Sequence, residues 1–325
     1  MITWKSVLNN YIKDSNRMEV EHSIEPLRSY VMDENYYRKE SHRQERLLKH
    51  GVSRYRQVIR SETSARLIKV NQQERQIIAV IRMNKRRVYD AGIDSEQEQQ
   101  EQLTFIHRRG EWVITKIDRI QTERNPRSVL SAEPDQIRVS QPYINRALLS
   151  NRSDVSRSIH YNRQLAVNYA NEWWNKANPA YEHYDVDCTN FVSQCLFAGG
   201  VPMNYTGKRE SGWWYEGYEH GRERWSFSWT VANSLQHYMQ SSRAGLRAET
   251  VDSARKLDIA DIISYDWDGD TVYQHSAIVT GFDSSGEPLV NAHTNDSRNR
   301  YWDYRDSYAW TERTRYTFLH IPDIL

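Results

Sequence analysis

The sequence predicts an α+β protein of two domains, and three observations lead to this prediction. The chain has 325 residues, which is enough for two ordinary domains. Helical periodicity gives way to strand-like alternation once in each half of the chain. The halves also differ in charge, because residues 1–150 hold 27 Lys and Arg against 20 Asp and Glu, whereas residues 151–325 hold 17 against 23. We therefore expect a domain over 1–122, a linker over 123–157 and a second domain over 158–325.

The composition is that of an ordinary globular protein, with 38% apolar and 27% charged residues. No stretch approaches the roughly 20 apolar residues of a membrane-spanning helix. The net charge of +1 does not suggest a nucleic-acid partner, and we expect the basic cluster at 82–87 to be a solvent-exposed strand and turn. The first residues lack the apolar stretch of a secretion signal, so we expect a cytoplasmic protein, or an extracellular or cell-wall one if a signal was removed.

The first half predicts two helices followed by a meandering sheet. Apolar spacing predicts helices over 3–20 and 34–50, the second closed by Gly51. Alternation predicts four strands, at 65–70, 76–81, 101–108 and 111–120, with Arg109-Gly110 as a tight hairpin between the last two. This order, ending in the sequence GEWVITKID, resembles the cone-shaped sheet of the nuclear-transport-factor-like superfamily. The resemblance implies a domain that binds a ligand or dimerises.

The second half also predicts helices before strands. Helices are expected at 162–175, 188–198 and 229–239, and the second of them ends at Gly199-Gly200. Strands are expected at 259–265, 272–282, 287–293 and 315–321. Residues 283–286 form the turn between the second and third of these strands.

Both cysteines lie in the segment Asp187–Cys195. On one helix their Cα atoms would be roughly 10 Å apart, which is too far for a disulfide. Asp187 can act as the N-cap, which places Cys188 in the first turn, where free N–H groups and the helix dipole favour a thiolate. The same amides can donate to a developing oxyanion. Cys188 is therefore a candidate nucleophile, with a buried structural thiol as the alternative, and we expect Cys195 to be structural.

A histidine leads into an apolar strand at HSAIVTG, residues 275–281. Held there, His275 could accept the proton of a nucleophilic thiol. A third group would orient its imidazole, and two candidates, Asn291 and His293, share one face of the next strand. A turn centred near 284–285 pairs His275 with about residue 294, which favours His293.

These motifs resemble the papain-like superfamily in its NlpC-type and CHAP-type branches, and residues 160–322 resemble the bacterial putative amidase domain family. The resemblance is carried by DCTNFVSQCLFAGGVPM at 187–203, HSAIVTG at 275–281 and NAHTND at 291–296. It implies that Cys188 is the nucleophile, His275 the base and His293 the third member, with Asn291 as the papain-like alternative. It further implies hydrolysis of a peptide or peptidoglycan-type amide through a thioester, without a cofactor.

Aromatic residues suggest where a substrate would bind. Nine of the 11 tryptophans follow residue 160, and the segment between Pro202 and Trp229 looks like an irregular loop that could roof a groove. We expect five residues to contact the substrate: Asp187, Asn190, Asn291, Trp214 and Trp229. Asp266, Asp268 and Asp270 are arranged like a calcium loop without its final glutamate, so a turn is favoured and no metal is expected. The rival hypothesis is a non-catalytic binding or assembly protein with a degenerate papain-like domain.

Overall fold

The computed structural model describes residues 3–54, 56–120, 123, 159–219 and 222–325, and the chain divides into two compact units. Unit 1 comprises Met1–Thr122 with Asp303–Trp310, and unit 2 comprises Glu123–Trp302 with Thr311–Leu325. Each unit combines helices with an antiparallel sheet, which confirms the α+β class. The linker predicted at 123–157 lies, apart from Glu123, outside the described residues.

Unit 1 has two helices, α1 (Trp4–Glu21) and α2 (Glu34–Arg54), with a 3₁₀ turn between them. Four strands follow as an antiparallel meander: β1 (Val58–Gln72), β2 (Gln76–Tyr89), β3 (Asp94–Arg108) and β4 (Glu111–Arg119). The Arg109-Gly110 hairpin is confirmed, with φ of 53° and 87° at its two residues. The stop expected at Gly51 is wrong, because α2 continues through it to Arg54.

The basic cluster at 82–87 lies within β2, and only part of it faces solvent. Lys85 and Arg87 are 5% and 4% exposed, and both bond to the buried carboxylate of Glu19, at 3.0 and 3.2 Å. Arg43 of α2 donates to the same carboxylate at 2.6 Å. The expectation of a solvated strand and turn is therefore wrong for alternate residues of this cluster, which face the interior of unit 1 because side chains alternate along a strand.

Residues 303–310 belong to unit 1 although they follow most of unit 2 in sequence. Asp303 pairs with Arg56 at 3.3 Å, and Ser307 accepts a hydrogen bond from Arg46 on its carbonyl at 2.9 Å. The hydroxyl of Tyr308 donates to Glu40. Within 158–325, the stretch predicted as one domain, this segment thus lies outside unit 2. The independence of that domain stays a prediction.

Unit 2 contains helices α3 (Arg163–Trp173), α4 (Cys188–Ala198), α5 (Phe227–Thr230) and α6 (Ala232–Ser241). Its strands are β5 (Tyr215–Glu219), β6 (Arg222–Trp225), β7 (Glu249–Val251), β8 (Ile262–Asp266), β9 (His275–Phe282), β10 (Pro288–Ala292), β11 (Ser297–Tyr301) and β12 (Arg315–His320). Six strands pair side by side and antiparallel in the order β11-β10-β9-β8-β12-β7, and β5 pairs with β6 as a hairpin.

The core of unit 2 forms between α4 and the sheet. Every residue from Cys188 to Leu196 is buried, and the apolar ones pack in a cluster with Trp229, Ile262, Ile278 and Leu319. Such burial on all sides is expected for a helix enclosed by other elements. Among the described residues, no helix is both long enough and apolar enough to cross a bilayer.

The aromatic segment before Trp229 differs from its sequence prediction, whereas the acidic segment that begins at Asp266 agrees with its prediction. The segment before Trp229 is not an irregular loop, because it holds the β5–β6 hairpin, and Trp213 and Trp214 within it are fully buried. The helix expected at 229–239 is two helices, α5 and α6. At Asp266 the turn is confirmed, since the carboxylate accepts the backbone N–H groups of residues 268–271.

Candidate active site

Cys188 is the first residue of α4, as the sequence predicts, and its sulfur lies against the start of β9. The hydroxyl of Thr189 is 3.7 Å from the sulfur and 3.4 Å from the hydroxyl of Ser276. The first turn of α4 is therefore joined directly to the residue that follows His275.

The thiol of Cys188 is only 2% exposed. Burial raises its pKa, and the N–H groups of Ser276 and Thr189, which favour the thiolate, do not offset that effect. The low pKa expected from the helix N-terminus is thus not found in this conformation. Desolvation outweighs the helix dipole here because the sulfur is enclosed by protein on every side.

His275 begins β9 opposite Tyr265 of β8. Its ring packs on Tyr265 and Trp267, with centroids 5.3 and 5.9 Å away, and it is fully buried. Since strand side chains alternate, the imidazole leaves β9 on the face opposite to the Ser276 hydroxyl that meets α4. Burial, together with the positive charge of Arg300, lowers the pKa of His275 to about 3, so the imidazole is neutral at physiological pH.

His293 follows β10 and contacts the loop before α4 instead of β9. Its Nδ1 lies 2.7 Å from Oδ2 of Asp187, its Nε2 lies 2.8 Å from the carbonyl of Trp173, and its ring stacks on Phe191 at 4.1 Å. Burial lowers the pKa of His293, but the hydrogen bond and charge of Asp187 outweigh it and raise the pKa to about 9. Both nitrogens then donate, so the hydrogen bond expected from His275 to His293 is not made.

The chain path after β10 explains this outcome. Asn291 pairs with Ile278 and Val290 with Val279, which is the register that the turn predicts. Beyond Asn291 the pairing with β9 stops, and positive φ angles at Thr294 and Asn295, 63° and 61°, redirect the chain. The Thr294 hydroxyl then accepts the N–H of Asp187 at 2.9 Å. This change of direction brings His293 next to Asp187, in the loop before α4.

Asn291, the other candidate third member, links three strands and a helix. Its amide donates to the carbonyl of Ala170 and to Oδ1 of Asn171, at 3.3 and 3.0 Å. Its oxygen accepts from the Thr280 hydroxyl and the Asn299 N–H, both at 3.0 Å. These bonds indicate that Asn291 has a structural role in attaching the sheet to α3.

The remaining predicted substrate contacts are buried as well. Asp187 accepts from the N–H of Tyr184 and from the amide of Asn190, and Asn190 accepts from the indole of Trp229 at 2.9 Å. The indole of Trp214 donates to the carbonyl of Ser211 at 3.0 Å. In this conformation these four side chains bond to other parts of unit 2, so their contact with a substrate remains a prediction.

Two groups of side chains in the described residues could hold a metal ion: His183 with Asp187 and His293, and Asp258 with Asp261 and His320. Sequence reasoning missed His183. The available signal was its position four residues before Asp187, in the segment that leads to the candidate nucleophile.

Comparison with known proteins gives one family match and two relatives. Residues 160–319 match the putative amidase domain family, a stretch that contains Cys188, His275 and His293. The uncharacterized protein YhbB of Bacillus subtilis (strain 168) is 49% identical over 172 residues, which is 53% of this chain and 54% of that protein. The uncharacterized protein YjcM of the same organism is 30% identical over 129 residues, 37% of this chain and 28% of that protein.

The chain thus spans about half the length of the first of these relatives and less of the second. No solved structure matches the chain. The family match covers the part of the chain in which the candidate site lies.

Proposed function

We propose that unit 2 hydrolyses amide bonds with Cys188 as the nucleophile and His275 as the base. The observation that carries this proposal is the position of the Thr189 hydroxyl, which lies 3.7 Å from the Cys188 sulfur and 3.4 Å from the hydroxyl of Ser276. It brings the helix that holds the nucleophile to the strand residue next to the histidine. The match of residues 160–319 to an amidase family supports the same chemistry.

The reaction would begin with transfer of the thiol proton to the neutral imidazole of His275. The Cys188 sulfur then attacks the amide carbonyl, and the N–H groups of Ser276 and Thr189, which favour the thiolate, would donate to the developing oxyanion. The imidazolium returns its proton to the leaving amine, which leaves a thioester. Water, deprotonated by His275, hydrolyses the thioester and regenerates the thiol.

The structure represents a closed state of this site, because Cys188 is 2% exposed and His275 is fully buried. Burial raises the pKa of the thiol and lowers that of the imidazole, so exposure of both groups would move the two pKa values toward each other. The imidazole of His275 also lies on the face of β9 opposite to the one that meets α4. Catalysis therefore requires the backbone at His275, the first residue of β9, to turn so that the ring reaches Cys188 and the amide is admitted. The proposed substrate class is a peptide or peptidoglycan-type amide.

A thioester trap tests the proposal. The full chain is mixed with peptidoglycan fragments and with simple peptide amides, quenched in acid and analysed by intact-mass spectrometry and peptide mapping. We expect an acyl adduct on Cys188 and released amine, both absent in Cys188→Ala and both present in Cys195→Ala. Turnover by Cys188→Ala would exclude this nucleophile.

The burial of both groups also favours a second candidate, a binding protein without turnover. In that case α4 would be purely structural, and the thiol would stay protected from modification whether or not a ligand is bound. An absence of adduct with every fragment, together with saturable binding of one of them, would support this candidate over the hydrolase.

A further inference from the structure

We propose that His183, Asp187 and His293 form a binding site for a divalent transition-metal ion of the zinc class. The three ligand atoms, one from each side chain, all lie within 4.8 Å of one another. They come from two separate segments, the loop before α4 and the turn after β10. This inference does not depend on whether Cys188 is a nucleophile.

The separations approach those of a metal site. Oδ2 of Asp187 is 2.7 Å from Nδ1 of His293 and 3.5 Å from Nδ1 of His183. Ligand atoms around a tetrahedral zinc ion are roughly 3.3 Å apart, given metal–ligand distances near 2.0 Å. The ligand nitrogens of His183 and His293 lie within 4.8 Å of each other. A shift of about half an ångström between Asp187 and His293, together with a closer approach of the exposed His183 side chain, would therefore admit the ion.

The outer hydrogen bonds are those that a metal site needs. The Nε2–H of His293 donates to the carbonyl of Trp173 at 2.8 Å, and because a carbonyl only accepts, this bond fixes the proton on Nε2 and directs Nδ1 toward the site. Oδ1 of Asp187 accepts from the Tyr184 N–H and the Asn190 amide, which leaves Oδ2 for the ion. In the metal-free state, a proton between Nδ1 of His293 and Oδ2 of Asp187 takes the place of the ion.

The site also has an open side and negative charge. The side chain of His183 is 44% exposed, whereas that of Asp187 is 3% exposed, so a water molecule could complete the coordination from the direction of His183. The charge of Asp296 acts on both histidines and adds to the attraction of a cation. Two imidazoles and one carboxylate suit zinc, cobalt or nickel better than magnesium or calcium, which prefer oxygen ligands.

The second group of candidate ligands lacks these properties. Oδ1 of Asp261 already binds the guanidinium of Arg163 at 2.7 Å and the N–H of Ile321 at 3.0 Å, while Oδ2 accepts the N–H of Asp258 at 2.8 Å. Arg163 thus supplies the positive charge at that site. His320 there serves as an internal control for the proposal.

An ion bound by His183, Asp187 and His293 would link the loop that contains Asp187 to the turn after β10. Asp187 directly precedes Cys188, so the ion would fix the position of the first turn of α4. The expected consequence is a metal-dependent gain in thermal stability, because an ion that binds the folded state alone stabilises it.

Metal binding by the full chain tests the proposal. After chelator treatment and dialysis, Zn²⁺ is titrated by calorimetry, and Co²⁺ is added to record its visible d–d absorption. We expect one Zn²⁺ per chain, and at least about tenfold weaker binding in His183→Gln and His293→Gln, since loss of an outer-shell partner alone typically costs 10–100-fold. His183→Gln is the decisive variant, because its exposed side chain can be lost without unfolding the protein.

His237→Gln and His320→Gln are the matched controls. His237 is an exposed histidine of α6, and His320 belongs to the other group. Unchanged Zn²⁺ affinity in a folded His183→Gln protein would overturn the proposal, as would loss of binding in His320→Gln alone or an absence of binding to the wild-type chain. A Co²⁺ spectrum that disappears only in the His183 and His293 variants would support it.

Discussion

The hydroxyl of Thr189 in the first turn of α4 lies 3.4 Å from the hydroxyl of Ser276, the second residue of β9. The same Thr189 hydroxyl lies 3.7 Å from the sulfur of Cys188. This contact joins the start of the helix that holds the candidate nucleophile to the residue that follows His275.

The two cysteines should be protected from alkylation in the native protein. Cys188 is 2% and Cys195 0% exposed, and burial raises the pKa of both thiols. With iodoacetamide at neutral pH we expect slow labelling of both in buffer and rapid labelling of both in denaturant. Fast labelling of Cys188 alone in the native protein would show that the site opens readily without substrate.

The corresponding alanine variants should separate activity from stability. Cys195→Ala removes a fully buried sulfur from the core and should cost about 1–2 kcal/mol, with activity retained. Cys188→Ala should cost a similar amount, since its sulfur is also buried, but should abolish amide hydrolysis. Urea denaturation of both variants, beside a turnover assay, provides the comparison, and equal activity in the two would contradict the proposed nucleophile.

The sequence predicts the parts of the site that depend on local pattern. The N-terminal position of Cys188 follows from the apolar run of α4, and the register of β9 with β10 follows from the turn between them. The partner of His293 could not be predicted, because it depends on positive φ angles at Thr294 and Asn295 that end the pairing with β9. Strand β11 was missed because its sequence, SRNRY, lacks an apolar alternation.

Burial that depends on partners distant in sequence could not be predicted either. Lys85 and Arg87 look like surface residues in a basic cluster, and only the position of Glu19 on α1 shows that they face inward. Residues 303–310 give no local sign that they pack in unit 1, since their partners Glu40, Arg46 and Arg56 lie about 250 residues earlier.

Asn291 should prove structural. Its side chain makes four hydrogen bonds within unit 2, so Asn291→Ala would leave buried polar groups unpaired and should destabilise the protein by about 3 kcal/mol or more. Asn168→Ala on the exposed face of α3 is the control, with an expected change within about 0.5 kcal/mol. A catalytic role would instead be indicated by a stable Asn291→Ala protein with reduced turnover.

The buried charges of unit 1 predict a loss of stability in acid. Burial raises the pKa of Glu19, but Arg43, Arg87 and Lys85 outweigh it and hold that pKa well below its usual range, and the pKa of Glu40 is lowered to about 2. A carboxylate with a lowered pKa stabilises the fold above its unfolded pKa of about 4.3, and that contribution is lost as the pH falls through the folded value. We therefore expect the free energy of unfolding to fall from about pH 4 toward pH 2.

Glu19→Gln tests the origin of this effect. The variant leaves three buried cations without their shared carboxylate and should cost about 3–5 kcal/mol at pH 7. It should also show a shallower acid dependence than the wild type. Glu21→Gln, which removes only the exposed pair with Arg17, should change stability by less than about 1 kcal/mol and keep the full acid dependence.

Alanine substitution of two glycines in unit 2 would distinguish the energetic cost of backbone strain from that of a steric clash. Gly212 and Gly286 have similar positive φ angles, 74° and 79°. A Cβ at Gly212 would lie 2.1 Å from the carbonyl oxygen of Asn204, whereas a Cβ at Gly286 meets nothing within 4 Å. Gly286→Ala should therefore cost about 1–2 kcal/mol, the strain of the left-handed conformation alone.

Gly212→Ala would have the same left-handed backbone strain as Gly286→Ala. Its methyl group would also clash with the carbonyl oxygen of Asn204, and a rotamer change cannot relieve a clash with backbone. The substitution would break the bridge between Asn204 and Trp213, whose backbone groups bond at 2.9 and 3.2 Å, and with it the position of the buried Trp213 and Trp214. We expect a loss at least about 2 kcal/mol larger than for Gly286→Ala, because a forced backbone shift in a packed core adds to the local strain. Urea denaturation, monitored by tryptophan fluorescence, gives the free energy of unfolding of both variants. Equal losses of that free energy would mean that the backbone around Gly212 can shift without disturbing the core.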